Sequence, residues 1–166
     1  RIATPHVGVV LNVGTAHLGE FGSREAIARA KGELVEGLPG DGVAVLNADD
    51  PLVVGMAGRT TATVRTFGRG EAGPADVTAT RARFLLTEDG RTAPVRLRLT
   101  GGHQVDNALA AATAARALGV GLDRVAEALS AASAASPWRM ALHERPDGTL
   151  VVNDAYNANP ESMRAA

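Results

Sequence analysis

The sequence predicts an α/β fold: a mostly parallel sheet flanked by helices, with an antiparallel hairpin portion. Three observations carry this. Short, β-branched apolar runs at 7–11, 43–47 and 63–67 alternate with helical stretches, the order of a βαβαβ unit whose strands are buried on both faces. Strict apolar–polar alternation then appears at 77–84 and 95–99, on either side of Glu88-Asp89-Gly90. That is the pattern of a hairpin with one wet face. The chain has 166 residues, 45% of them hydrophobic, enough to fill one ordinary core.

In chain order, the first strand leads into a glycine-rich loop carrying His17 and Glu20. Ser23 is placed as an N-cap and Glu25 in the first turn of a helix that Gly37 stops. On that helix Ile27, Lys31 and Leu34 stand at i, i+4 and i+7, so the pattern predicts Lys31 on an apolar stripe. Of seventeen basic residues sixteen are arginine, and Lys31 is the lone lysine. Two readings of it stay open. A desolvated amine can lose its proton and react with carbon dioxide to a carbamate, a carboxylate-like metal ligand. Alternatively the stem is buried and the head reaches water. His17 sits at the carboxyl end of a parallel strand, where ligand sites collect in such sheets, although a lone histidine is more often an ordinary surface residue.

A turn at 38–42 precedes the second strand. Asp49-Asp50-Pro51 then reads as a metal pair or as a helix start with proline at N1; the helix start accounts for both acids. That helix is predicted to end near Gly58, before the third strand. Arg81, Arg83, Arg96 and Arg98 of the hairpin read as a solvated strand face, with a phosphate-binding patch as the alternative. Helices are predicted over 108–118, ending at Gly119, and over 122–135, an alanine-rich pair able to pack closely. Strands at 138–144 and 149–153 flank Pro146-Asp147-Gly148. Asn159 and Pro160 open a new helix, and a domain division is expected close to Asp154.

Composition excludes several classes. A net charge of -1 offers no general electrostatic footprint for nucleic acid or an anionic membrane. No apolar run approaches a membrane span and no signal peptide opens the chain. Without cysteine there are no disulfides and no thiolate metal site, which suits a reducing cytoplasm. H-E-x-x-H, G-x-S-x-G and G-x-x-x-x-G-K-[ST] are all absent. The chain opens on Arg1 and closes just inside a predicted helix, so it reads as a piece of a longer protein.

Three segments together resemble one family. They are Asn12-Val13-Gly14-Thr15-Ala16-His17-Leu18-Gly19-Glu20-Phe21-Gly22-Ser23 with Ala30-Lys31-Gly32-Glu33-Leu34, then Gly102-His103-Gln104-Val105-Asp106-Asn107-Ala108-Leu109-Ala110-Ala111. The third is Trp138-Arg139-Met140 followed by Asp154-Ala155-Tyr156-Asn157-Ala158-Asn159-Pro160-Glu161-Ser162-Met163. Over nearly the whole chain these resemble the Mur ligases, ATP-dependent enzymes that add amino acids to the peptidoglycan precursor stem peptide. The last motif is most similar to the branch that joins D-alanyl-D-alanine to UDP-N-acetylmuramoyl-tripeptide. Other members, such as the diaminopimelate or lysine adders and folylpolyglutamate synthase, and a non-catalytic relative serving as a binding module, are the alternatives.

The resemblance implies a P-loop-type central domain lacking its amino-terminal side. It implies 1–153 as a partial ATP-binding domain and 154–166 as the start of a carboxyl-terminal ligase domain. ATP would phosphorylate the tripeptide carboxylate, and the dipeptide amine would attack the acyl phosphate. By the same resemblance His17 and carbamylated Lys31 hold Mg2+, and Lys31 and Arg139 serve catalysis. Asn107 lies near adenine, Arg139 on the phosphates, Asp154 on the ribose and Asn157 beside it. Gln104 departs from the asparagine more usual there. The protein is expected to be a cytoplasmic monomer that neither binds nucleic acid nor enters a membrane. The 166 residues alone are expected to lack ligase activity, because the P-loop lysine lies upstream in the family.

Overall fold

The computed structural model describes residues 3–15, 18–72, 76–77, 81–99, 101–133, 138–158 and 160–165. The three apolar runs form strands β1 (Val7–Val10), β2 (Val43–Asn47) and β3 (Thr63–Phe67), paired in parallel in the order β1-β2-β3. β2 is central, and its alternation divides the core. Ala44 and Leu46 point into one apolar cluster and Val45 into another, all with no exposed surface.

Helices cover both faces, as parallel strands require. Between β1 and β2 lie α1 (Leu18–Phe21) and α2 (Arg24–Glu36). Ser23 caps α2, its side chain accepting from the Ala26 N–H at 3.1 Å. Between β2 and β3, α3 (Pro51–Val54) runs into a 3-10 turn over Gly55–Arg59, so the predicted helix tightens after its first turn. Ile27, Ala28, Val35, Leu38, Val53 and Met56 from these elements close one cluster. Arg59 lies across α2 at Gly32, donating to the carbonyls of Ala28 and Arg29 and pairing with Glu36 at 2.8 Å. A β-carbon on Gly32 would stand 1.9 Å from the Arg59 guanidinium, so glycine is what lets that side chain cross.

The opposite face is covered by α5 (Gly102–Ala117), preceded by α4 (Arg69–Ala72) and a second sheet. That sheet orders β4 (Asp76–Val77), β5 (Ala82–Glu88) and β6 (Arg91–Leu97), all antiparallel. Phe84, Leu86, Val95 and Leu97 from it meet Val45 and Phe67 of the parallel sheet around the buried alanines of α5, and α6 (Leu122–Ala131) closes the outside. Each fully buried Leu, Val or Phe stabilises by about 1.5–3 kcal/mol. The alanine-rich helix is therefore a spacer thin enough to let two sheets share one core. After α6 come the hairpin β7 (Ala141–Glu144) and β8 (Leu150–Asn153), then α7 (Pro160–Ala165). No helix is long and apolar enough to cross a membrane among the described residues.

Several predicted boundaries shift. The run predicted as one strand over 77–84 is two, because the chain reverses and pairs Val77 with Ala82. The partner strand starts at Arg91 rather than 95, and its Pro94 is tolerated because β6 is an edge. α5 begins at Gly102, six residues before the alanine run. α6 ends at Ala131, with Ala132 already extended; predicted residues 134 and 135 lie outside the described residues. Trp138 and Met140 take positive φ, 61° and 49°, so β7 begins only at Ala141. The N-cap predicted at Asn159 also lies outside the described residues.

Candidate functional site

The predicted site residues fall in three places. The first is the loop after β1. Its backbone is held by four side chains from three elements. Asn47 donates to the Leu11 carbonyl at 2.8 Å, Lys31 to that of Asn12 at 2.6 Å, and Arg24 to that of Val13 at 2.8 Å. The Val13 N–H donates to the Asp50 carboxylate at 2.7 Å. Asp50 also accepts from the Leu52 N–H at 3.0 Å, so it is the N-cap the sequence predicts and a loop clamp as well. His17, four residues beyond Val13, lies outside the described residues.

Lys31 is corrected here. It is exposed, and the buried positions of α2 are Ile27, Ala28, Gly32 and Val35. Arg59 packs against α2 at Ala28 and Gly32, within that buried stripe, and Lys31 lies outside it. Its ammonium donates to the Asn12 carbonyl in the loop after β1. An ammonium donating to a carbonyl offers no lone pair to a cation, and no group of three carboxylates or histidines converges among the described residues. His17, the other expected ligand, is not among the described residues, and no step below passes through a divalent ion.

The second place is the start of α5, at the carboxyl ends of β2 and β3. Arg69 grips Asp106 with two hydrogen bonds, 2.8 and 3.1 Å, and donates to the Gly102 carbonyl at 2.8 Å. Its backbone N–H donates to Asp49 at 2.8 Å. The hydrogen bond to Asp106 raises the Arg69 pKa further above its ordinary value, with the Asp106 and Asp49 charges adding to it. Asp49, assigned from sequence to the helix start, instead anchors the connection after β3. The result is a staple that fixes the first turn of α5 against the strand ends. Sequence reasoning missed Arg69 and Asp106; an arginine two residues after a strand carries no signal until its partner on α5 is placed. Asn107 is exposed one residue further on, and its amide donates to Gln104 at 3.3 Å. Helix N–H groups at such a strand edge favour negative charge.

The third place is the base of the β7–β8 hairpin. The Met140 N–H donates to Asp154 at 3.0 Å, and the Tyr156 N–H to the Trp138 carbonyl at 3.1 Å. Arg139 lies 3.8 Å over the Tyr156 ring. Arg139, Asp154 and, one residue past Tyr156, Asn157 are thus collected together.

The α/β unit that carries the first two of these places is the middle domain of one ligase class. Residues 1–115 match the Mur ligase middle domain, and the chain belongs to the Mur ligase family. More particularly, it is 52% identical over 171 residues to the UDP-N-acetylmuramoyl-tripeptide--D-alanyl-D-alanine ligase of Mycobacterium tuberculosis, covering 99% of this chain and 34% of that protein. The crystal structure of MurF from Acinetobacter baumannii superposes with a TM-score of 0.90 at 37% identity, over 98% of this chain and 36% of that one. MurF ligase from Thermotoga maritima, solved in complex with ADP, gives a TM-score of 0.85 at 30% identity, over 99% of this chain and 38% of that one. The chain thus spans about a third of the length of these relatives.

Proposed function

We propose that this chain is part of the central ATP-binding domain, with the start of the carboxyl-terminal domain, of an ATP-dependent, ADP-forming ligase that adds D-alanyl-D-alanine to UDP-N-acetylmuramoyl-tripeptide in cytoplasmic peptidoglycan precursor synthesis. The observation that carries it is likeness over 99% of the chain to a protein of that name. ATP transfers its γ-phosphoryl group to the terminal carboxylate of the tripeptide, giving an acyl phosphate and ADP. The dipeptide amine attacks the acyl carbon, and the tetrahedral intermediate collapses to the amide with loss of phosphate. Such transfer is largely positioning and charge neutralisation. Arg139, with its fork of donors, suits the phosphates; Asp154 suits the ribose hydroxyls, with Asn157 beside it; Asn107 suits the adenine edge.

His17 and Lys31 are the expected holders of Mg2+, Lys31 only as its carbamate. A mass search for added CO2 on Lys31 of the full-length protein checks this, and a plain amine in the magnesium-loaded protein overturns it. The division at 153/154 belongs to the same reading. The protein is taken as a monomer.

The decisive assay offers full-length protein, MgATP and the UDP-linked tripeptide either D-alanyl-D-alanine or single amino acids, and measures ADP. Release with the dipeptide alone is expected. Release with a single amino acid alone overturns the assignment. The isolated 166 residues are expected to show no turnover.

A further inference from the structure

Asn107 stands on a part of α5 that has little of its own to hold it. The N-cap is Gly101, at a left-handed φ of 100°, and no side chain caps the helix there, whereas Ser23 and Asp50 cap α2 and α3. Gly102 follows, a second poor helix former. Arg69 braces this turn from outside. Its guanidinium donates to the Gly102 carbonyl at 2.8 Å and to both oxygens of Asp106, one turn further along the same face, at 2.8 and 3.1 Å. Bonds at two heights on one face fix the turn along its axis and about it. The approach is close: a β-carbon on Gly102 would stand 3.0 Å from the guanidinium. Arg69 is anchored in its turn, its backbone N–H donating to Asp49, whose own N–H donates to the Asn47 side chain at 2.9 Å. The start of α5 is thereby tied to the chain just past both β2 and β3.

Taking Asn107 as the adenine contact proposed above, we propose that Arg69 and Asp106 are positioning residues for nucleotide binding: their ion pair holds the first turn of α5 so that the Asn107 amide meets the base, and it sets the preference for adenine. The path from pair to amide is short. The Gln104 N–H donates to the Gly101 carbonyl at 3.0 Å within the braced turn, and the Gln104 side chain accepts from the Asn107 amide at 3.3 Å. That bond engages the amide nitrogen and turns the amide oxygen to the 6-amino group of adenine. Hypoxanthine carries a carbonyl at that position, and two facing acceptors repel. Once the pair is broken, the glycine-led turn frays and Gln104 and Asn107 lose their common frame. Nucleotide must then order them as it binds, which weakens binding.

The test is calorimetric titration of full-length protein with ADP and with inosine diphosphate, well below the melting temperature of every variant. Arg69→Gln and Asp106→Asn are each expected to weaken ADP about tenfold and inosine diphosphate less, so the preference for ADP falls. The double variant is expected to lose no more than either single one, because the two side chains act as one pair. Arg69→Lys keeps the charge without the fork and is expected to recover part of the preference. Asn107→Ala separates the two readings. If it keeps the wild-type preference, the adenine contact is wrong and the positioning role falls with it. If it loses the preference while the pair variants keep theirs, the positioning role alone falls. Pair variants that melt earlier yet keep the wild-type ratio of the two Kd values reveal a merely structural brace, and likewise overturn the proposal.

Discussion

Asp50 does two jobs with two oxygens. One accepts from Leu52 at the start of α3 and the other from Val13, a residue 1% exposed in the loop after β1. Asp50→Ala removes a cap worth about 1 kcal/mol and leaves a part-buried N–H without its acceptor at a further cost of about 1–2 kcal/mol. Urea denaturation should therefore show a loss of about 2–3 kcal/mol. Asp50→Asn keeps an acceptor on the cap and should lose less than half of that. Lys31 illustrates the same dependence on company: its amine, which the spacing put on an apolar stripe, sits in the open and helps hold the loop by one carbonyl.

At the scale of elements, the turn between β5 and β6 is closed by Asp89 and Gly90 with φ of 50° and 75°, the two left-handed positions of a type I′ turn. A β-carbon on Gly90 meets nothing within 4 Å, so Gly90→Ala isolates the backbone term. It should cost about 1–2 kcal/mol in thermal or urea unfolding, with no repacking of the hairpin. The start of α2 gives a pH dependence. Hydrogen bonds from its own backbone N–H and from Ser23 hold the Glu25 carboxyl below its ordinary range. A folded-state pKa below the unfolded one stabilises at neutral pH, and that contribution is lost as pH falls through the folded value. Melting temperatures of wild type and Glu25→Gln should differ near neutrality and converge as pH falls through the folded-state value.

For the molecule as a whole, the central strand decides which side chains matter. Leu46 has no exposed surface between β2 and the α2 layer, whereas Leu118, past the end of α5, is 71% exposed. Leu46→Ala should cost about 2–5 kcal/mol by denaturant unfolding, and Leu118→Ala no more than about 0.5 kcal/mol. Much of this architecture was legible in the linear chain. The three parallel strands, the caps at Ser23 and Asp50, the Asp89-Gly90 turn, the wet arginine face and the family motifs all rest on neighbours a few residues apart, where period and turn chemistry act directly. Tertiary structure alone decided that Lys31 stands outside the buried stripe, that Asp49 serves β3 and not α3, and that Arg69 staples α5 through Asp106. It also decided that the chain reverses between Val77 and Ala82. Each of these depends on groups about twenty or more residues away, or on which strand lies alongside, and a side chain's partner across the core is set by packing, which no local pattern encodes.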